Sequence, residues 1–532
     1  MTGGPAYSGT IPRLLAAAAQ RDPDGTWLRT DSGALTFAAA LGRAAVTARS
    51  LAGAGIGRGD LVVVTARNTP DYLLCWLALA SLGAVTVPVN PRGAPAELAG
   101  LLGQVRPRAL ISDASLAALT GPALASAAEA GLPPPELGVL DVTGLGAGRA
   151  DPAGADADLL AAGVTPDDLA VLIPTSGTTG RSKLVMQTHR AYAMAGEGFP
   201  FWMELTAADR LMTSLPLFHI NAPAYSVMGS LACGAGLILL ERFSASTFLD
   251  SARRHGATEF NAIGAMLEIL MRQPPRPDDA STPLRLCYTG PAPERDRQEE
   301  MERRLGIRIV VGYAMSESPY GLIWAHGTRP FGTLGSVRQH PVLGVVNEAK
   351  VVSADGRELG PGETGELLLR NPVLTPGYWG MPEETAAAIT GGWLHTGDLV
   401  TPGAGGTYTF AGRQKEVLRR RGENLSPLEV EEVLAEHPAV LECAVVGVES
   451  ELSEDEVKAF IVPARRDGDG RPEVDFGELA EFAAGRLAAF KVPRYWQLID
   501  ELPRTPTARV AKHQLPAGHR PGEYDTEAAR PR

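Results

Sequence analysis

Within nine residues, Thr175-Ser176-Gly177-Thr178-Thr179-Gly180-Arg181-Ser182-Lys183, the chain gathers hydroxyls, glycines and one lysine between two apolar runs. That mixture suits an anion. Glycines let several backbone N–H groups turn toward one point, hydroxyls add donors, and Lys183 adds a mobile positive charge. The flanks, Leu169 to Pro174 and Leu184 to Gln187, read as buried strands, so the loop joins strand to strand. A Walker phosphate loop opens a helix instead and requires a Gly-Lys dipeptide, which occurs nowhere in the sequence. The segment is therefore read as a phosphate-holding turn of another kind, with a solvated Ser/Thr/Gly turn as the plain alternative.

The elements that would position this loop follow from the surrounding pattern. Leu61 to Thr65, Pro70 to Leu82 and Ala84 to Val89 form a strand–helix–strand unit of the doubly wound kind, and similar alternation continues to about residue 330. Gly131 to Gly163, rich in Pro, Gly and Ala, reads as surface connection, and Arg272 to Pro283 as a polar loop. Beyond residue 340 short strands and turns take over, with a hairpin signal at Asp355-Gly356. Gly360-Pro361-Gly362-Glu363-Thr364-Gly365 fits G-x-G-x-x-G but opens a strand, Glu366 to Arg370, so it is a turn and no dinucleotide site. From Gly412 a charge-rich α/β unit of domain size begins. Ser426-Pro427-Leu428-Glu429 predicts a capping box, Asp475 to Glu478 a second helix start, and Ala444 to Val448 and Ala459 to Val462 two strands.

Composition bounds the function. The 532 residues exceed one ordinary core, and 45% hydrophobic residues suffice to fill two or more. A net charge of −12 argues against nucleic acid and against an acidic membrane, so any phosphate must be bound locally. Cys75, Cys233, Cys287 and Cys443 are scattered, which indicates neither zinc nor a disulfide framework and points to the reducing cytoplasm. No apolar run is long enough for a bilayer, and no secretion signal stands at the N-terminus.

Four further motifs stand in order behind the loop: Pro216-Leu217-Phe218-His219; Gly312-Tyr313-Ala314-Met315-Ser316-Glu317; Trp393-Leu394-His395-Thr396-Gly397-Asp398; and Gly412-Arg413-Gln414-Lys415-Glu416 with Arg421-Gly422-Glu423-Asn424. With them the chain resembles the AMP-forming adenylating enzymes, the superfamily of acyl-CoA synthetases, carrier-protein adenylation domains and luciferases, over nearly its whole length. The resemblance implies an α/β fold: a large N-terminal domain (1–411) of stacked doubly wound α/β subdomains plus a small β-rich part, and a small mobile α/β lid (412–532) hinged near Lys415. It further implies that Thr175, Ser176, Gly177, Thr178, Thr179, Gly180 and Lys183 hold the ATP β- and γ-phosphates. Tyr313 would stack on adenine, with Gly290, Ala314 and Ser316 also in the nucleotide-binding set. Glu317 would hold Mg²⁺, Asp398 the ribose hydroxyls, and Arg413 would approach ribose and phosphates. His219 either ends an apolar strand as a core histidine or, as in the family, borders the acid pocket.

One departure stands out. The family pattern near the C-terminus ends in Gly-Lys, whereas this chain reads Leu502-Pro503-Arg504-Thr505-Pro506-Thr507-Ala508-Arg509-Val510, putting Arg509 where the lysine belongs. Arginine keeps the charge but replaces a compact ammonium by a planar fork. Only 6 of the 49 basic residues are lysine, yet Lys183 and Lys415 are retained. Lys512, three residues on along an expected strand, would lie on the opposite face and substitutes poorly.

The default expectation is a small-molecule carboxylic acid converted through its adenylate to a CoA thioester. The segments Asn261 to Gly264 and Arg272 to Pro275 look like the carnitine/crotonobetaine-CoA ligase-like branch, which includes ATP-dependent diazotases of bacterial natural-product pathways. Nitrite with an aryl amine acceptor is accordingly the alternative, and a non-catalytic AMP-binding protein the alternative outside enzymes. Leu215 to Ser230 contains no aspartate for an α-ammonium, which disfavours amino acids. Phe218 to Ala224, Asn261 to Gly264, Gly290 to Ala292 and Ser318 to Tyr320 form the expected acid-pocket wall, with Asn221 and Tyr225 as polar handles. A monomer or homodimer is expected.

Overall fold

The computed structural model describes residues 9–148, 154–175, 182–290, 292–414, 418–420, 423–449, 455–464, 474–487, 489, 491–505, 510–516, 518–520 and 523–528. The chain divides into two compact units. The first comprises Met1–Ala349, Leu369–His395 and Gly405–Thr407; the second comprises Lys350–Leu368, Thr396–Ala404 and Tyr408–Arg532.

Two sheets organise the first unit. The smaller has six strands in the order Val139–Asp141, Ala109–Ser112, Leu61–Thr65, Val85–Val89, Leu169–Thr175 and Lys183–Thr188. All neighbours are parallel except the last pair. Its central strands are largely apolar because both faces are covered. Val62 and Val64 enter one core cluster while Val63 enters another, and Val171 with Ile173 divides from Leu172 in the same way, as a two-residue side-chain period requires. The helix Pro70–Leu82 begins with the Thr69 hydroxyl accepting from Tyr72 N at 3.2 Å and ends at Gly83 with φ +69, the left-handed stop that glycine takes without strain.

The larger sheet has nine strands, in the order Ser336–Val337, Ser318–Ile323, Arg308–Met315, Leu286–Thr289, Glu259–Asn261, Arg210–Thr213, Gly236–Leu239, Thr26–Thr30 and Gly33–Thr36. Six central strands are parallel and the edges antiparallel. The stretch Gly131 to Gly163, expected to be connection alone, contributes the edge strand Val139–Asp141 and the helix Ala155–Leu160. Three-residue and six-residue elements are too short to register as a period in sequence.

The second unit carries a four-stranded sheet, Val440–Glu449, Asp455–Pro463, Tyr495–Leu498 and Tyr524–Asp525, with helices Pro427–Ala435 and Phe476–Ala484. Val430, Leu434, Ile461, Leu479 and Trp496 fill its core. Asp475 caps the second helix by accepting from Gly477 N at 2.7 Å and Glu478 N at 3.3 Å. The capping box expected at Ser426 does not form, since the Ser426 side chain makes no cap hydrogen bond. Proline at the first helical position starts that helix, its φ being set beforehand. No helix among the described residues is long and apolar enough to cross a membrane.

Glu259, on a central strand of the larger sheet, is fully buried with both carboxylate oxygens lacking a hydrogen-bond partner. Burial, reinforced by the Asp209 charge, pushes its carboxyl well above the usual range. A raised folded-state value means the folded chain holds a proton that the unfolded chain releases, so stability is full below the unfolded value and falls as pH rises toward the folded one. Thermal melts from pH 5 to 8 should therefore show the wild type losing several degrees relative to Glu259→Gln; parallel curves would mean that burial does not raise the folded carboxyl.

Candidate active site

The strands that flank the hydroxyl-rich loop are joined at its two ends. Thr175 ends one strand and Lys183 begins the next, the two are register partners, and Thr175 Oγ1 donates to the Lys183 carbonyl at 3.2 Å. Ser176, Gly177, Thr178, Thr179 and Gly180 lie outside the described residues, as do Lys415 and Arg509. Gln104 Nε2 holds the Ser182 carbonyl at 3.1 Å.

A second segment docks on the strand Lys183–Thr188. Met186 N donates to Gly377 O at 3.0 Å and Trp379 N to Leu184 O at 2.9 Å, while the Thr375 hydroxyl reaches Met186 O at 2.6 Å. Gly377 has φ +138, and a Cβ there would lie 2.3 Å from Thr385 Cγ2, so only glycine allows the approach. Tyr378 is thereby set beside Lys183, whose Nζ sits 4.5 Å from the ring centroid. The Tyr378 hydroxyl donates to Glu317 Oε1 at 3.0 Å. Burial first, and the Glu317 charge second, raise the phenol above its ordinary value, which keeps it the donor. Thr375 N also donates to the Glu317 carbonyl at 2.7 Å, and Gln187 Nε2 holds the Ser316 carbonyl. Lys183, Ser316 and Glu317 are thus brought together at the mouth of the loop.

Tyr313 lies just upstream on the strand Arg308–Met315, with its hydroxyl 3.8 Å from Met315 Sδ; Ala314 beside it is half-buried. The strand ends here are packed backbone to backbone: a Cβ on Gly290 would lie 2.4 Å from the Gly312 carbonyl oxygen. His219 is half-buried, its ring 4.5 Å from Phe218. Asn261 Nδ2 donates to Asn221 Oδ1 at 2.7 Å, tying two expected wall segments together.

Tyr225 departs from its expected part as a polar handle. Its hydroxyl donates to Pro319 O at 2.7 Å and accepts from Arg338 Nη1 at 2.9 Å, so the buried group is already committed. In the second unit, Asp398 and Arg413 face each other across an antiparallel pair, with Arg413 Nε 3.0 Å from Asp398 Oδ1 and the aspartate side chain only 5% exposed. Lys512 stands in a short 3-10 turn, Lys512–Gln514, and not on a strand; it pairs with Glu431 at 2.8 Å. The three-residue turn breaks the two-residue alternation on which the strand expectation rested.

Sequence reasoning did not single out Tyr378, Gln187 or Arg338. Tyr378 stands in Pro376-Gly377-Tyr378-Trp379-Gly380, which signals a turn but not its partner, 61 residues away in sequence.

Comparison with known proteins places this arrangement. Residues 15–379 match the AMP-binding enzyme family and residues 429–509 its AMP-binding enzyme C-terminal domain. The chain belongs to the AMP-binding enzyme family. It is 32% identical over 485 residues to a crotonobetaine/carnitine–CoA ligase of Salmonella arizonae, covering 87% of this chain and 89% of the relative. Among solved structures it is similar to ATP-bound MatB from Rhodopseudomonas palustris (TM-score 0.81, 27% identity, 95% and 98% of the two chains). It is also similar to a benzoate–CoA ligase from Burkholderia xenovorans (TM-score 0.82, 26% identity, 95% and 99%). These likenesses make the chain an AMP-forming ligase of the acyl-CoA ligase kind.

Tyr378→Phe keeps the ring over Lys183 and removes the donor to Glu317. ATP–pyrophosphate exchange should fall roughly 10-fold, the usual cost of losing an outer-sphere partner. Unchanged exchange would show that the phenol does not orient Glu317.

Proposed function

We propose that this enzyme activates a small carboxylic acid as its acyl-adenylate and passes the acyl group to CoA. The observation that carries the reading is the row Lys183–Tyr378–Glu317 beside the strand end at Lys183, which sets a cation over the phenol ring and a hard carboxylate oxygen on its hydroxyl. ATP needs that combination, since its phosphates would take the ammonium while Glu317 would hold the accompanying Mg²⁺. The half-buried Glu317 suits Mg²⁺, which prefers one or two carboxylates plus phosphate oxygens to an all-protein cage. Mg²⁺ would neutralise charge developing on the phosphates. Tyr313 is assigned to adenine, with Gly290, Ala314 and Ser316 alongside, Asp398 to the ribose hydroxyls, Arg413 to the ribose and phosphates, and His219 to the acid pocket. The loop residues Thr175 to Gly180 are assigned to the β- and γ-phosphates.

In the first half-reaction an acid oxygen attacks the α-phosphorus, the bridging bond to the β-phosphate breaks, and its electron pair leaves on pyrophosphate. In the second, the CoA sulfur attacks the acyl carbon, the thiol proton goes to solvent, and AMP leaves with the electrons of the broken C–O bond. Positioning and positive charge carry both steps. The C-terminal part from 412 is proposed to act as a lid turning about Lys415, excluding water from the adenylate.

Nitrite with an aryl amine acceptor is the second reading, favoured by Arg509 in place of the family lysine, because a different attacking oxyanion tolerates a different cation. Pyrophosphate and AMP release, measured against a panel of acids and nitrite with CoA or an aryl amine, decides between them. Absence of release with every acceptor would leave a non-catalytic AMP-binding protein. Asp398→Asn and Glu317→Gln should each lower AMP formation roughly 10- to 1,000-fold, as removal of one preorganised contact does. Near-normal turnover in both would remove this mechanism. Arg509→Ala should slow the first half-reaction roughly 100-fold while sparing turnover of supplied adenylate. Undiminished pyrophosphate release would deny Arg509 a part in it.

A further inference from the structure

Arg338 is fully buried, at 0% exposure, and makes no ion pair with a carboxylate among the described residues. Its partners are all neutral. Nε donates to Leu322 O at 3.1 Å, Nη1 to Tyr225 Oη at 2.9 Å and to Pro319 O at 3.0 Å, and Nη2 to Tyr288 Oη. The rings of Trp202, Tyr225 and Tyr288 stand 4.6, 5.1 and 5.5 Å from the guanidinium carbon. Phe199 closes the cluster, 5.3 Å from Tyr225 and 5.5 Å from Tyr288 between ring centroids. Hydrogen bonds and ring faces fix the side chain in place, but they leave its unit charge uncancelled.

The position matters as much as the charge. Tyr225 follows the wall segment Phe218 to Ala224, Tyr288 precedes Gly290 by two residues, and Pro319 lies within Ser318 to Tyr320. Asn221 ties the remaining segment through Asn261. A Cβ on Gly312, which directly precedes Tyr313, would lie 2.9 Å from Arg338 Nη2. Arg338 therefore stands where the segments assigned to the acid pocket converge.

We propose that Arg338 is a specificity-determining residue, a fixed cation buried behind the segments assigned to the acid pocket, whose field admits compact anions and uncharged tails and disfavours acids carrying a cationic group. The inference rests on the adenylation reading above and narrows its substrate class. An acid bearing a quaternary ammonium would bring a second positive charge toward a guanidinium that has no counter-ion among the described residues and is held by hydrogen bonds and ring faces on every side. A second positive charge on the far side of that wall is weakly screened in the protein interior, and the repulsion is expected to cost roughly 100-fold in occupancy. An acid without that group meets no such term, and its carboxylate gains from the same field.

The test measures pyrophosphate release by the full chain with ATP and Mg²⁺, using crotonate against its trimethylammonium counterpart crotonobetaine, with butyrate, benzoate and nitrite alongside. The wild type should prefer crotonate to crotonobetaine roughly 100-fold or more in kcat/KM. Arg338→Met, similar in length without the charge, should shrink that ratio at least about 10-fold, whereas Arg338→Lys should preserve it. Wild-type turnover of crotonobetaine equal to that of crotonate overturns the inference, whether or not the Met variant folds. Equal loss of discrimination in the Met and Lys variants overturns it too, because shape and not charge would then make the filter. Turnover confined to nitrite and unchanged in Arg338→Met likewise overturns it. No release with any acid or nitrite, with AMP binding retained, instead defeats the adenylation reading and takes this inference with it.

Discussion

The antiparallel pairing of Leu169–Thr175 with Lys183–Thr188 is the constraint from which the first unit's functional geometry follows. It pins both ends of the hydroxyl-rich loop, and the outer strand offers its free edge to Thr375–Trp379. Because that docking runs through backbone hydrogen bonds, the place of Tyr378 is set by main-chain register, and Lys183 and Glu317 are held through it. A loop secured only by its own side chains would pay the entropy of ordering Lys183 and Glu317 at the moment of binding. Here much of that ordering is built into the strand.

The same economy of placement recurs at the strand ends of the larger sheet. Gly290 and Gly312 permit backbone contact where side chains would separate the strands, and the room left is taken by Tyr288 and Arg338. A buried guanidinium surrounded by phenols and carbonyls is an unusual core element, because hydrogen bonds satisfy its donors without neutralising it. Polar satisfaction and charge balance are separate requirements, and around Arg338 the described residues meet only the first. Under the specificity proposed for Arg338, that imbalance would tie the packing of the larger sheet to substrate choice.

Much of the architecture was legible in the residues. The strand pair of 169–188 and the Leu61–Val89 strand–helix–strand unit hold because both rest on continuous apolar runs, the second backed by the Thr69 cap and the Gly83 stop of its helix. The failures are local: Ser426 does not cap its helix, Lys512 is on a turn, and a short strand and helix lie within the Pro/Gly/Ala-rich connection. In each case the signal spans few residues, and neighbouring contacts outweigh intrinsic preference.

What the sequence by itself determined is the chemistry available: a loop of hydroxyls, glycines and a lysine suited to an anion, the order of its motifs, the family they resemble, and the arginine at 509 in the lysine's place. Tertiary structure alone decided which of these groups meet. Nothing in Pro376-Gly377-Tyr378 announces that its phenol will reach Glu317, and nothing in Ser336-Val337-Arg338 announces a buried cation behind Tyr225 and Tyr288. Motifs are local in sequence, whereas a hydrogen bond between residues 61 or 113 positions apart depends on sheet order and register, which are settled only when the whole core packs.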